Sequence, residues 1–182
     1  MNMQHSSRTS VCRKKGLFTT FEWVSSSICA LVLVAVFLSM SFRVVNVQGD
    51  SMLNTLYSGD RLLLTGAFYE PEYGDVVVIE RKDDTPLIKR VIGLEGDRIR
   101  IDKEGGTVYR NGQPLDEPYV RGGFTTTFGM TEEIIVPEGH LFVMGDNRAE
   151  SLDSRSLGAL SMENLVGKVL IRIGPKFGRI GE

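Results

Sequence analysis

The chain has 182 residues, a net charge of −2 and 42% hydrophobic residues. That suits one domain, or one domain with an insertion, and argues against disorder or a nucleic-acid partner. Both cysteines, Cys12 and Cys29, lie near the N-terminus, so the remainder can hold neither a disulfide framework nor a cysteine zinc site.

Arg8, Arg13, Lys14 and Lys15 crowd the N-terminus, and no acid precedes Glu22. Val24 to Phe42 then carries no charge. As a helix this run would reach about 28 Å, close to the hydrocarbon thickness of a bilayer. Phe18, Phe21 and Trp23 stand ahead of it as an interfacial aromatic belt. The reading is a cytoplasmic basic tail over 1–23, one transmembrane anchor over 24–42, and an extracytoplasmic domain over 43–182. The side follows from the positive-inside rule, since only Arg43 comes soon after the run. A cleavable signal peptide competes, because Ser39-Met40-Ser41 has small residues where a cleavage site needs them. The length of the uncharged run favours a retained anchor.

The rest reads mostly as strands. Arg43–Gln48 is short and alternating. Arg61–Thr65, Asp75–Glu80 and Leu87–Leu94 are runs of Val, Ile and Leu, separated by Gly59-Asp60, Gly74-Asp75 and Gly96-Asp97. Arg98–Ile101 alternates strictly, which predicts one buried and one wet face. Thr107–Arg110 leads into Asn111-Gly112, a strong hairpin signal. Glu132–Val136 and His140–Met144 flank Pro137-Glu138-Gly139 and read as a second hairpin. Lys168–Ile173 is a late strand, Ser161 caps a single turn to Leu165, and Gly122–Thr131 reads as a mobile loop. The predicted fold class is mainly β: an antiparallel sheet domain with a small β insertion at about 102–137, preceded by one transmembrane helix.

Chemistry gathers at three places. Ser51 sits in Gly49-Asp50-Ser51-Met52-Leu53-Asn54-Thr55-Leu56, shortly after the apolar run. A serine in a tight turn becomes a nucleophile where a base lies within hydrogen-bond reach. Leu53, Leu56 and Tyr57 beside it are expected to face lipid. Lys89, in Leu87-Ile88-Lys89-Arg90-Val91-Ile92, shares a strand face with Leu87 and Val91. Apolar neighbours desolvate an ammonium and lower its pKa, which makes the amine a base. The ordinary reading is a snorkelling lysine with its head in water. Arg90, opposite in face, is equally odd, and His140 is a rival base. The third place, Gly145 to Arg155, is dense in polar groups and needs internal hydrogen bonds to keep a shape. Asp and Arg there can form bidentate pairs. A cation site of Asp146, Asn147 and Asp153 is the alternative, although the spacing is not that of an EF-hand loop.

Together these stretches resemble the type I signal peptidases, membrane-anchored serine proteases that remove signal peptides from exported proteins. The resemblance rests on the basic tail, the single anchor, the serine box, Gly-Asp-Val-Val-Val at 74–78, Lys-Arg-Val-Ile-Gly-Leu-Glu-Gly-Asp at 89–97, and Gly-Asp-Asn-Arg…Ser-x-Asp-Ser-Arg at 145–155. It implies Ser51 as nucleophile and Lys89 as general base, and it makes His140 structural. It implies that Ser151 hydrogen-bonds the lysine and that Asp146, Arg148, Asp153 and Arg155 hold the site in shape. Val47, Gln48, Leu87 and Ile88 would pair with the substrate backbone, beside Met52. The implied substrate is a signal peptide with small residues at −1 and −3, the implied setting a lipid bilayer, and no cofactor or metal is called for. Two departures stand out: Asn54 where the family often has proline, and Gly49 where some members carry a serine hydroxyl as oxyanion donor. A self-cleaving repressor-type protease would need a DNA-binding domain in place of the anchor. A non-catalytic anchored β-rich binding module remains the non-enzyme reading.

Overall fold

The computed structural model describes residues 9–179, apart from 67–68, 82–83, 131 and 175–177. It divides into two units, one ending at Ser41 and one beginning at Phe42. Arg8 lies outside the described residues, as do the side chains of Arg13, Lys14 and Lys15.

The first unit is a helix, α1 (Thr9–Ser41). Its Phe21–Ser39 stretch has a mean hydropathy of 2.1, and its described side chains are exposed all round. A stretch apolar on every face has the length and composition of a membrane span. Phe42, expected inside the span, instead opens the first strand. The serines at both ends of the run bond back to the helix: Ser25 to Glu22 O, Ser27 to Trp23 O, Ser39 to Val36 O and Ser41 to Phe37 O, at 2.8–3.0 Å. These bonds satisfy the hydroxyls without outside partners.

The second unit is built of antiparallel strands. The large sheet runs β1 (Phe42–Asn46), β2 (Arg61–Thr65), β11 (Leu165–Ile173), β3 (Val76–Arg81), β4 (Asp84–Gly93), β9 (His140–Met144), β10 (Leu160–Ser161), with β12 (Gly178–Arg179) added to β11. A smaller sheet runs β7 (Gln113–Pro114), β6 (Val108–Arg110), β5 (Arg98–Ile101), β8 (Ile134–Ile135). It begins at Arg98, upstream of the boundary expected near 102. The near-continuous apolar run of β3 is buried on both faces: Val76 and Val78 join one core cluster with Leu62, Leu64 and Met52, and Val77 and Ile79 join another with Val91 and Val143. In β5 the alternation is realised, with Ile99 and Ile101 buried and Arg98 and Arg100 exposed.

The turn residues behave as their chemistry predicts, with one exception. Asn111 and Gly112 have φ of 54° and 79°, the left-handed pair that closes a two-residue hairpin between β6 and β7. The Pro137–Gly139 turn does not close a hairpin. Its flanking strands join different sheets, β8 to β5 and β9 to β4 and β10, although Ile134 and Val136 share a core cluster with Phe142 and Met144 of β9. The Gly122–Thr131 segment, expected to be mobile, contains a 3-10 turn at Arg121–Gly123, and Thr125 within it is 2% exposed; Thr131 lies outside the described residues. Leu56, expected on lipid, is fully buried in the core.

Where β2 meets β11 the backbones approach closely. A Cβ on Gly167 would fall 2.2 Å from Thr65 O, and one on Gly66 would fall 2.3 Å from Val166 O. Gly167→Ala should therefore destabilise the second unit by about 1–3 kcal/mol, the usual range for overpacking. Denaturant unfolding at an unchanged midpoint would contradict that close approach.

Candidate active site

Ser51 is presented by a turn that leaves β1. Leu53 N donates to Asp50 O, and Thr55 N and Leu56 N donate to Met52 O. Met52 and Leu56, 2% and 0% exposed, anchor the turn in the core. Lys89 lies on β4 opposite Val77 and is 2% exposed. Its Nζ is 2.7 Å from Ser51 Oγ and donates to Ile88 O at 3.0 Å. No carboxylate lies within ion-pair distance of that amine among the described residues. Burial pushes the Lys89 pKa down to about 8, against an upward pull from Asp153 and Asp146. A serine hydroxyl and a buried amine are thus in hydrogen-bond contact.

Arg90, the next residue, is 4% exposed and has the opposite fate. Its Nε and Nη2 donate to both oxygens of Asp146 at 2.8 and 2.7 Å, Nη1 donates to Gly74 O at 2.8 Å, and the guanidinium lies 3.9 Å over the Tyr119 ring. Thr55 Oγ1 bonds Asp146 Oδ2 as well, which ties the serine turn to the same pair. The sequence marked Arg90 as odd; its partner, 56 positions away, could not be read from local pattern.

The 145–155 loop is closed by two more guanidinium groups. Arg148, 0% exposed, donates to Gly145 O, Thr125 Oγ1 and Glu117. Arg155 holds both oxygens of Asp153 at 2.8 Å and reaches Thr126 O and Arg148 O. Burial pushes the Asp153 carboxyl up, but Arg155 and the Gly145 N–H hold it below the ordinary range. Asp153 also caps the short helix α2 (Ser154–Leu157) by accepting from Arg155 N. Glu117, Thr125 and Thr126 were missed by sequence reading, since nothing in their own neighbourhood signals a partner. With Asp146 and Asp153 occupied by arginines, and Asn147 Nδ2 turned to main-chain oxygen, a cation there has lost its ligands; among the described residues no His, Cys, Asp and Glu cluster is placed to hold a metal.

Ser151, 8% exposed, does not reach the lysine. Its Oγ makes no hydrogen bond, lying near enough to Asp153 to lower that carboxyl but out of bonding geometry. His140 is at the start of β9, with its Nδ1 on Glu138 O at 2.7 Å and no bond to Ser51.

Val47, Gln48, Met52, Leu87 and Ile88 line one cleft with Gly49, Ser51, Pro86 and Lys89, of about 130 Å³. Two backbone edges face it, the segment after β1 and the start of β4. Val47 is bonded on one side to Asp60 and Gly59, and β4 has β3 along one side but meets β9 only from Arg90 onward. Open edges beside the Ser51 hydroxyl suit an extended peptide.

The family model for signal peptidase, peptidase S26, matches residues 20–173. The chain belongs to that family. It is 35% identical over 170 residues to a probable signal peptidase I-1 of Synechocystis, covering 83% of this chain and 84% of the relative. It is 36% identical over 162 residues to signal peptidase I of Bacillus licheniformis (81% and 84%), and 31% identical over 172 residues to signal peptidase IB of Staphylococcus aureus strain COL (85% and 89%). A crystal structure of a signal peptidase I from Enterococcus faecalis V583 aligns with 56% of this chain and 98% of its own at 30% identity, TM-score 0.48.

The two departures from this signal peptidase family have structural counterparts. Asn54 has φ 83°, a left-handed conformation closed to proline, whose ring holds φ near −65°. Gly49 has φ 82°, where any side chain would be strained. Gly145 matters for a different reason: a Cβ there would fall 2.2 Å from Ser151 Oγ and 2.5 Å from Ser51 O. Gly145→Ala should push the loop off the serine and lower peptidase activity at least about 100-fold, in line with the sensitivity of catalysis to a 1 Å displacement. Asn54→Pro should likewise abolish activity, and Asn54→Gly should retain it. A fully active Asn54→Pro in a preprotein cleavage assay contradicts the left-handed turn.

Proposed function

We propose that this protein is a membrane-anchored signal peptidase that cuts preproteins after small residues at −1 and −3 by a Ser51/Lys89 dyad. The observation that carries the reading is the Lys89 amine, removed from water and 2.7 Å from Ser51 Oγ, in a chain of this family. The relatives are named signal peptidase I, and that name supplies the substrate class. The basic N-terminal tail, read by the positive-inside rule, supports a catalytic unit on the extracytoplasmic face of the membrane.

In this mechanism the uncharged Lys89 amine accepts the Ser51 hydroxyl proton as Oγ attacks the scissile carbonyl. The tetrahedral oxyanion rests on the Ser51 N–H. Lys89, now an ammonium, gives its proton to the leaving amine of the mature protein, and the signal peptide stays esterified to Ser51. A water deprotonated by Lys89 hydrolyses that ester and releases the serine. The signal peptide lies extended along the open edges of Val47-Gln48 and Leu87-Ile88, and the small cleft over Met52 rejects bulky side chains. Asp146, Arg148, Asp153 and Arg155 keep the loop in shape.

With its pKa near 8, Lys89 is uncharged in about one molecule in ten at pH 7. Because the base form is the deprotonated one, kcat/KM should rise with pH through about 8 and level off above it. A profile flat from pH 6 to 9 would contradict Lys89 as base. Ser51→Ala and Lys89→Ala should each abolish cleavage of a preprotein with an Ala-x-Ala site while the protein stays folded, and cleavage retained by either one overturns the assignment.

The same burial makes a stability prediction. Lys89 is protonated in both the folded and unfolded chain below pH 8, so the folded state there carries the full penalty of a buried ammonium. The penalty fades as pH rises from about 8 toward the ordinary lysine value. Lys89→Met should therefore be inactive yet more stable than wild type at pH 7, by up to about 3 kcal/mol, with the gain shrinking toward pH 10. A destabilised, pH-independent Lys89→Met would contradict it.

A further inference from the structure

One residue bonds both peptide units that flank the Ser51 Cα, sharing Asp50 O with the turn's own Leu53 N. Asn147 N donates to Ser51 O at 3.0 Å, and Asn147 Nδ2 donates to Asp50 O at 3.1 Å. Asn147 is 3% exposed and follows Asp146, whose carboxylate is fixed by Arg90. Its other contacts run to Glu150: its carbonyl accepts from Glu150 N at 3.1 Å, and Nδ2 makes a long contact to Glu150 Oε2 at 3.4 Å. The peptide linking Asp50 and Ser51 is planar, with its C=O and N–H pointing in opposite directions. Fixing Asp50 O therefore sets the direction of the Ser51 N–H. That N–H has no acceptor among the described residues. Gly49 offers no side-chain donor, and at φ 82° it has little freedom to be replaced by a residue that would.

We infer that Asn147 is a positioning residue for the oxyanion donor: its side-chain amide holds the Asp50–Ser51 peptide so that the Ser51 N–H points at the carbonyl oxygen on which charge develops. This rests on Ser51 acting as the nucleophile. As the bond from Ser51 Oγ to the acyl carbon forms, the carbonyl electron pair moves onto oxygen, and a preorganised donor helps only if it is already aimed there. Removing an oxyanion donor outright lowers kcat about 10²–10³-fold. Loosening its aim while leaving it in place should lower kcat by about 10- to 100-fold.

The experiment compares full-length wild type, Asn147→Ala, Asn147→Asp and Ser51→Ala in detergent, on a preprotein with an Ala-x-Ala site. Asn147→Ala removes the side-chain donor and keeps the main-chain bond to Ser51 O; Asn147→Asp keeps the shape and replaces the donor with an acceptor. Both should lose kcat by the stated factor with KM within about twofold. In Asn147→Ala the pH of half-maximal kcat/KM should stay at the wild-type value, because Lys89 is untouched. Affinity for a peptidyl boronic acid, whose adduct with serine is tetrahedral, should fall by the same factor as kcat/KM, and affinity for the cleaved signal peptide should not change. Wild-type kcat in Asn147→Ala overturns the inference. So does a loss accompanied by a shifted pH profile or weakened product binding, which would make Asn147 a general brace, and so does unfolding of both Asn147 variants. Cleavage by Ser51→Ala instead overturns the nucleophile itself, whereas an inactive Ser51→Ala beside a fully active Asn147→Ala removes only the role given to Asn147.

Discussion

Lys89 and Arg90 are consecutive cations on one strand, both nearly out of contact with water, and the fold treats them in opposite ways. Arg90 receives a bidentate carboxylate, a main-chain carbonyl and an aromatic ring, so its charge is fully answered. Lys89 receives a hydroxyl and one carbonyl and no carboxylate. An ammonium so placed is the unstable form, and the amine gives up its proton well below the ordinary lysine range. The nearest acids, Asp146 and Asp153, would restore the charge if they were free to approach. Each is instead bound by an arginine. The ion pairs around the site therefore do more than brace a loop: they keep carboxylates away from the amine.

That arrangement explains the density of arginine in a short polar loop. Residues 145–155 bury little apolar area and cannot hold a shape by packing. Three buried guanidinium groups supply the shape, each joining the loop to a different part of the chain: Arg90 on β4, Arg148 to Glu117 and Thr125, and Arg155 to Thr126. Breaking one such buried pair by removing one partner typically costs about 3–5 kcal/mol, because the other charge is left unpaired. The connection to Thr125 and Thr126 also accounts for the ordering of a Gly- and Thr-rich segment whose own sequence carries no periodicity.

The strands were legible because faces follow from period two and from apolar runs. Arg61–Thr65, Val76–Arg81, Arg98–Ile101 and His140–Met144 are all strands where such runs occur. Partners were less legible, since local pattern says which face is buried and not what covers it. Nothing in Leu165–Ile173 announces that it lies between β2 and β3, and nothing near Pro137–Gly139 shows that its two flanks enter different sheets. At the site, resemblance singled out Ser51 and Lys89, and the structure places them in contact. The resemblance gave no role to Arg90, Thr55, Glu117 or Asn147, whose contacts span 31 to 97 positions of chain. Ser151 illustrates the reverse: a motif position carried a contact with the amine that the structure does not contain.

The serine and the lysine reach each other by different routes, and the loop connects the two routes. Ser51 is carried by a turn with left-handed residues at Gly49 and Asn54, stiffened by Met52 and Leu56 in the core and by Arg172 Nη1 on Thr55 O at 2.8 Å. A turn held by buried side chains has no need of a proline ring, which Asn54 at φ 83° could not accommodate in any case. Lys89 is carried by β4, in the middle of the sheet. Asp146 grips Arg90, the neighbour of the lysine, and Asn147 grips both carbonyls around the serine. Two adjacent loop residues thus connect the serine turn to the lysine strand. The loop therefore supports the approach of Oγ to Nζ alongside their own hydrogen bond at 2.7 Å.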